Sequence, residues 1–293
     1  MTNKPDTRSV RDYWEKHPAG YDEIEHLESD SLAFLEERDR LTRVLSPRIA
    51  EKYRMYLAHN ADVLDIGCGQ GYNAQELVRH GARLTAVDLT AKGIQLATQR
   101  FRLRNLRGEF ALTDAQHMPF RDESFGFIHS SGVLHHIPDM EQAVDEVYRL
   151  LRTGGKASIM VYNRSSWQYW YKIQFTLRFT MVFLYLLPGG LKRVALRRKP
   201  GLSKYVPTRW PTTSDIVNAG TDFGGVENPL SRVFTKRGVS KLFHRFNVEG
   251  FVTSAPQYKP FKPEKNPWER VLAAAISWLN ERYGWYLIVY LEK

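Results

Sequence analysis

From residue 61 onward the chain alternates short apolar runs with segments of helical periodicity. The runs fall at about 61–67, 83–89, 108–114, 125–131 and 155–163, and their length and near-continuous apolar character are those of strands buried on both faces. Between them, 72–80, 91–103 and 139–152 repeat apolar residues at helical spacing, and Gly154-Gly155 reads as the stop of the last of these helices. The alternation lapses at Asn163 and resumes near Thr235, with a helix at 236–246, a strand at 248–254, a helix at 267–281 and an apolar strand at 285–291. Residues 7–58 read as helices with breaks, one of them at Pro18-Ala19-Gly20. Strand and helix in alternation predict an α/β domain built on a doubly wound sheet. Its parts are an N-terminal helical arm (1–60), a core (61–162), a mainly helical insertion (163–233) between the fifth and sixth strands, and the rest of the core (234–293).

Two periods compete in the insertion. Apolar residues at 173, 175, 177, 179 and 181 alternate as in a strand, whereas Trp170, Ile173, Leu177, Met181 and Leu184 form one helical face. Length favours a helix over 167–187, ended by Pro188-Gly189-Gly190. Such a helix would be ~32 Å long, but Lys172 and Arg178 interrupt it, which makes it a poor membrane-spanning segment. Three roles stay open for it: a lid over the substrate, a lid that also contacts a membrane, or an oligomer contact.

The first apolar run leads into Asp65-Ile66-Gly67-Cys68-Gly69-Gln70-Gly71, a strand entering a glycine turn that lets backbone approach a ligand. The spacing is G-x-G-x-G, one residue short of the dinucleotide fingerprint G-x-G-x-x-G in the same strand, turn and helix context. Asp88 ends the second run, where a carboxylate can accept both hydroxyls of a ribose. Asp114-Ala115 follows the third, and 125–139 reads Phe-Gly-Phe-Ile-His-Ser-Ser-Gly-Val-Leu-His-His-Ile-Pro-Asp.

In this order and spacing the chain resembles a class I S-adenosylmethionine-dependent methyltransferase of the type 11/25 kind, closely over 61–162 and loosely over 234–293. The resemblance implies a Rossmann-like seven-stranded sheet whose last strand is antiparallel; the family usually has a hairpin between the sixth and seventh strands, so the helix read at 267–281 would be a decoration. It implies S-adenosyl-L-methionine as cofactor and no metal. Gly67, Gly69 and the Asp65 region would meet the methionyl half, Asp88 with Leu89 the ribose, Asp114 and Ala115 the adenine, and Ser130 and Ser131 the border of the methionine carboxylate. Asp114 has a second reading as a helix N-cap. Cys68 lines the turn as a small packing residue, not a nucleophile. His135 and His136 are candidate general bases for a hydroxyl acceptor, and the sequence does not rank them. Tyr13, Trp14 and Tyr21 would close the pocket if the arm folds over the cofactor; otherwise the arm covers a sheet edge.

Composition sharpens this picture in two places. The single cysteine, Cys68, excludes an internal disulfide, and 1–10 is polar, so an intracellular, cytoplasmic protein is expected. The net charge is +10, from 42 Lys and Arg against 32 Asp and Glu. Ten of the basic residues and no acid fall in 161–210, so the whole excess sits in the insertion. That favours a local anionic partner, and with the apolar stretch a peripheral anionic membrane surface is expected. The expected function is methylation of a small or lipid-like acceptor, with a hydroxyl preferred. Two alternatives stand beside it. A nucleic-acid methyltransferase would use the basic insertion, although the Asp/Asn-Pro-Pro-Tyr/Phe motif is missing after the fourth strand. A cofactor-binding membrane adaptor would have lost catalysis.

Overall fold

In the computed structural model, which describes residues 5–18, 31–45, 48–221, 228–255 and 267–293, the apolar runs assemble into one sheet among the described residues. Its strands are β1 (Asp62–Ile66), β2 (Arg83–Asp88), β3 (Glu109–Leu112), β4 (Phe125–Ser131), β5 (Leu151–Asn163), β6 (Val233–Phe234), β7 (Asn247–Ser254) and β8 (Tyr286–Glu292). The order is β3-β2-β1-β4-β5-β8-β7, and the two-residue β6 pairs with β5 off this path. β1 to β5 run parallel, while β8 is antiparallel to both β5 and β7. This is the seven-stranded Rossmann-like plan with an antiparallel last strand, and β6 is a short addition. The helix Pro267–Tyr283 joins β7 to β8, as expected.

Alternating side chains feed two cores, one on each face. Leu64, Ile66, Ile128, Leu287, Val289 and Leu291 pack with the helix Met140–Leu150 and with Val239 and Phe243. Val63, Phe127, Ile288 and Tyr290 pack on the other face with Ala74, Leu77, Ala97 and Phe101 of the helices Tyr72–Arg79 and Ala91–Leu103. At ~25 cal/mol per Å² of apolar surface removed from water, these two layers dominate stability.

Two local expectations need correction. The helix predicted to stop at Gly154-Gly155 ends at Leu150, and both glycines lie inside β5. There the pairing with β4 jumps from Phe125↔Leu151 to Phe127↔Lys156, and Gly154 sits at φ +73. A bulge needing left-handed backbone gives the same Gly-Gly signal as a helix stop. In the insertion the helix forms, but its first part, Tyr169–Leu177, is π-wound before α winding takes over at Arg178–Leu186. Winding with i→i+5 bonds uses more residues per turn. The residue four before Ile173, Tyr169, therefore shares its buried face, while Trp170 is turned out to solvent. Ile173, Met181 and Leu184 are buried as expected, and the alternating strand pattern is not realised. The insertion continues as helices Gly189–Arg198 and Thr213–Gly220.

Candidate functional site

The carboxyl ends of β1, β2 and β4 converge, and the glycine turn lies between them. Gly67, Gly69 and Gly71 all have positive φ, at +73, +50 and +77, so the turn is built from left-handed steps that a side chain resists. The amides of Gly67 and Cys68 donate to the Val87 carbonyl, which ties the turn to β2. At Gly69 a Cβ would meet no heavy atom within 4 Å, so this glycine faces open space. Its amide donates to Asp88 Oδ2 at 2.8 Å, while Thr90 donates to Asp88 Oδ1 through its amide (2.9 Å) and hydroxyl (2.6 Å). The Asp88 carboxylate is thereby held at the tip of β2, beside Leu89, with Oδ1 accepting two bonds and Oδ2 one, so Oδ2 keeps a lone pair for a ribose hydroxyl.

Asp65 is 1% exposed, and its Oδ2 has no hydrogen-bond partner among the described residues. Burial, and next the negative charge of Asp88, push its carboxyl up to about 8. A buried carboxyl of this kind fits an incoming ammonium, which would supply the missing countercharge. The sign for stability follows. An acid whose folded pKa lies above its unfolded value of ~3.9 holds its proton in the folded state. Without ligand, stability therefore declines as pH rises from ~4 to ~8. Urea melts across that window will show the decline, and Asp65→Asn will flatten it. Cys68 is buried, and burial, followed by the nearby Asp88 and Asp65, raises its thiol pKa well above normal, which suits a packing residue and not a nucleophile.

Asp114 accepts from the Gln116 amide at 2.9 Å and from its side-chain nitrogen at 3.0 and 2.9 Å. No helix starts there, so the N-cap reading falls away. Ala115, next to it, is buried. Gln116 also donates to Thr7 Oγ1 (3.0 Å) and accepts from the Asp139 amide (3.1 Å). A cleft of about 390 Å³ opens beside Asp114, lined by Leu89, Ala91, Leu112 and Thr113 and by Arg11 and Glu15 of the helix Thr7–Lys16. The same helix sends Trp14 edge-on to His136, with ring centroids 5.1 Å apart. Tyr13, buried, packs against Trp14 at 5.2 Å. The N-terminal helix thus lies over the strand ends and does more than cover a sheet edge; Tyr21 lies outside the described residues. A larger depression of about 680 Å³ lies at the opposite end of the strands. Its Arg149 is paired with Glu146 and Asp122, and its Lys293 with Glu123, so its charge is spent internally.

After β4 the two serines diverge. Ser130 is fully buried, and its hydroxyl donates to the Ile66 carbonyl at 3.1 Å, so only its backbone is offered to the turn. Ser131 Oγ lies 2.7 Å from the Tyr53 hydroxyl. His135 and His136 sit on a short 3₁₀ turn (Leu134–His136), both buried. Neither ring nitrogen of His135 has a hydrogen-bond partner among the described residues, and burial, then the neighbouring His136 and Arg232, hold its pKa well below normal. His136 Nδ1 lies 2.6 Å from the Leu230 carbonyl. A carbonyl only accepts, so Nδ1 carries the proton and Nε2 is the basic nitrogen. Arg232 fixes this turn by donating to the carbonyls of His135, Ile137 and Pro138. Tyr53, Gln116 and Arg232 were not visible as site residues in the sequence, because each acts through partners many positions away.

Residues 64–159 match the family model described as a methyltransferase domain. A sterol 4-C-methyltransferase, strm-1, of Caenorhabditis elegans is 33% identical over 110 residues, 37% of this chain and 32% of that protein. A phthiotriol/phenolphthiotriol dimycocerosates methyltransferase of Mycobacterium tuberculosis is 40% identical over 95 residues, 32% of this chain and 34% of that protein. The chain thus spans about a third of the length of these curated relatives. In fold it resembles a solved S-adenosylmethionine-dependent methyltransferase of Methanosarcina mazei, with a TM-score of 0.51 and 21% identity, covering 85% of this chain and 98% of that one. Matched motif and sheet order agree: residues 64–159 form a methyltransferase domain of the class I S-adenosylmethionine-dependent kind, whose cofactor is S-adenosyl-L-methionine.

Proposed function

We propose that the protein methylates a hydroxyl group on a small or lipid-like acceptor, with His136 as the proton-accepting base. The cofactor supplies a methyl group on a sulfonium, already a strong electrophile, so the chain's work is to align, to exclude water and to take up one proton. Asp65, Asp88 and the turn at Gly67 and Gly69 hold the cofactor, with Asp114 and Ala115 at its base. The observation that carries the base assignment is the 2.6 Å contact from His136 Nδ1 to the Leu230 carbonyl. It fixes the tautomer and leaves the lone pair on the buried Nε2 of a ring that Trp14 packs against. His135 has no such partner among the described residues, and burial holds its pKa well below normal, so we assign it a packing role against Tyr162, with ring centroids 4.0 Å apart. The named relatives act on a sterol and on phthiotriol derivatives, which supports a lipid-like acceptor; the choice of a hydroxyl rests on His136 alone.

Incubation with labelled cofactor and fractionated aqueous and lipid extracts will identify the acceptor. With it in hand, His136→Ala will lower turnover by ~10²-fold while cofactor affinity stays nearly unchanged. Near-normal turnover in that variant would reduce His136 to a turn residue. Label appearing only in nucleic acid would overturn the acceptor class.

A further inference from the structure

The insertion helix has two apolar faces, and only one is used. Tyr169, Ile173 and Met181 are buried against the sheet domain with Ile216 and Val217. On the other side Tyr171 (64% exposed), Phe175 (72%), Phe179 (72%) and Phe183 (51%) recur every four residues and form a stripe open to solvent. Phe179 and Phe183 stack in near-parallel planes, 6.4 Å apart, and the stripe runs on into the exposed Leu186. A lid packed on its own domain needs the inner face and gives no account of the outer one. Single exposed apolar residues are ordinary; a continuous aromatic row is the mark of a surface that something covers.

We infer that this outer stripe docks onto an anionic lipid bilayer, through its aromatic rings and the basic helix that follows. Charge decides the occupant. Between 161 and 210 there are ten basic residues and no acid, and Arg193, Arg197, Arg198 and Lys199 are exposed on or just after the helix Gly189–Arg198. A second copy of this chain would bring the same unbalanced positive charge against itself. An anionic bilayer offers the opposite charge and an apolar layer directly beneath it. Leu191 and Val194 of the basic helix are themselves exposed, so its apolar positions extend the same surface. No helix among the described residues is long and apolar enough to cross a membrane, so the contact is peripheral. Methyl transfer plays no part in this inference, and its failure would leave the proposed function standing.

The test is flotation of the full chain with phosphatidylcholine vesicles, with or without phosphatidylserine, in the absence of cofactor and acceptor. We expect co-flotation only with phosphatidylserine at low salt, and its loss as salt is raised. The triple variant Phe175→Ser, Phe179→Ser, Phe183→Ser removes outward rings only, so its melting temperature will match the parent while vesicle binding drops about tenfold or more. Arg197→Glu with Arg198→Glu and Lys199→Glu will abolish the preference for phosphatidylserine. Three outcomes would overturn the inference. One is no flotation at low salt. Another is unchanged flotation in the phenylalanine variant, which would reduce the surface to a phosphate-binding patch. The third is a parent dimer that the same variant splits, which would make the stripe an oligomer contact.

Discussion

Gly69→Val will leave a folded protein with no measurable affinity for S-adenosylmethionine. The turn is close-packed at Gly67, where a Cβ would collide with Val133, so substitution there would damage folding and say little about binding. Gly69 differs, because its Cβ would point into space free of protein atoms within 4 Å. The fold bears only the strain of a β-branched residue at φ +50, ~1–2 kcal/mol. The amide bond to Asp88 survives, since it involves backbone only on the glycine side. The new isopropyl group occupies the volume the ligand needs, and affinity falls by ~10³-fold or more. Calorimetry on a variant whose melting temperature stays within a few degrees of the parent checks this. Binding within tenfold of the parent would remove the glycine turn from the cofactor site.

Asp39→Ala will lower unfolding free energy by ~3–5 kcal/mol. Asp39, 1% exposed, lies on the helix Leu32–Leu45 and is bonded to Arg100, which is fully buried, at 2.5 Å and to Arg104 at 2.8 Å. Arg100 also donates through Nε to the Gln70 carbonyl at 2.8 Å, inside the glycine turn. Removing the carboxylate leaves a buried guanidinium without its countercharge, which costs far more than the pair itself contributes. The double variant Asp39→Ala, Arg100→Leu will therefore recover part of the loss. Urea titrations of both variants give the result. A loss under ~1 kcal/mol in the single variant would show that water or another group takes over the charge.

The sheet could be read in the sequence because its strands are continuous apolar runs closed by residues with one job each. β1 ends at the glycine turn and β2 at Asp88, and the pairing register puts these ends side by side. The candidate cofactor positions stand out in the sequence for the same reason, since they sit where strands stop. What could not be read depends on tertiary reach. Arg100 looks like one more basic residue on an amphipathic helix until Asp39, 61 positions earlier, is brought to it. Gln116 joins Asp114 to Thr7, 109 positions away, and no local pattern announces it. His135 and His136 were indistinguishable because the carbonyl that sets His136 apart belongs to Leu230, 94 residues on. The π-wound stretch misled for a different reason. A wheel drawn at 3.6 residues per turn places Trp170 on the inner face, and the change of winding turns it out and leaves Tyr169 buried beside Ile173.

The helix Thr7–Lys16 borders the cleft beside Asp114 through Arg11 and Glu15 and rests on His136 through Trp14. Ten residues thus reach both the cleft beside Asp114 and the turn at His136. With the methyl acceptor seated at His136, as proposed, the two ligands would share a single door. Exchange of cofactor and of acceptor would then draw on displacement of the same short helix, and exclusion of water during the chemical step would rest on that helix and not on the sheet beneath it.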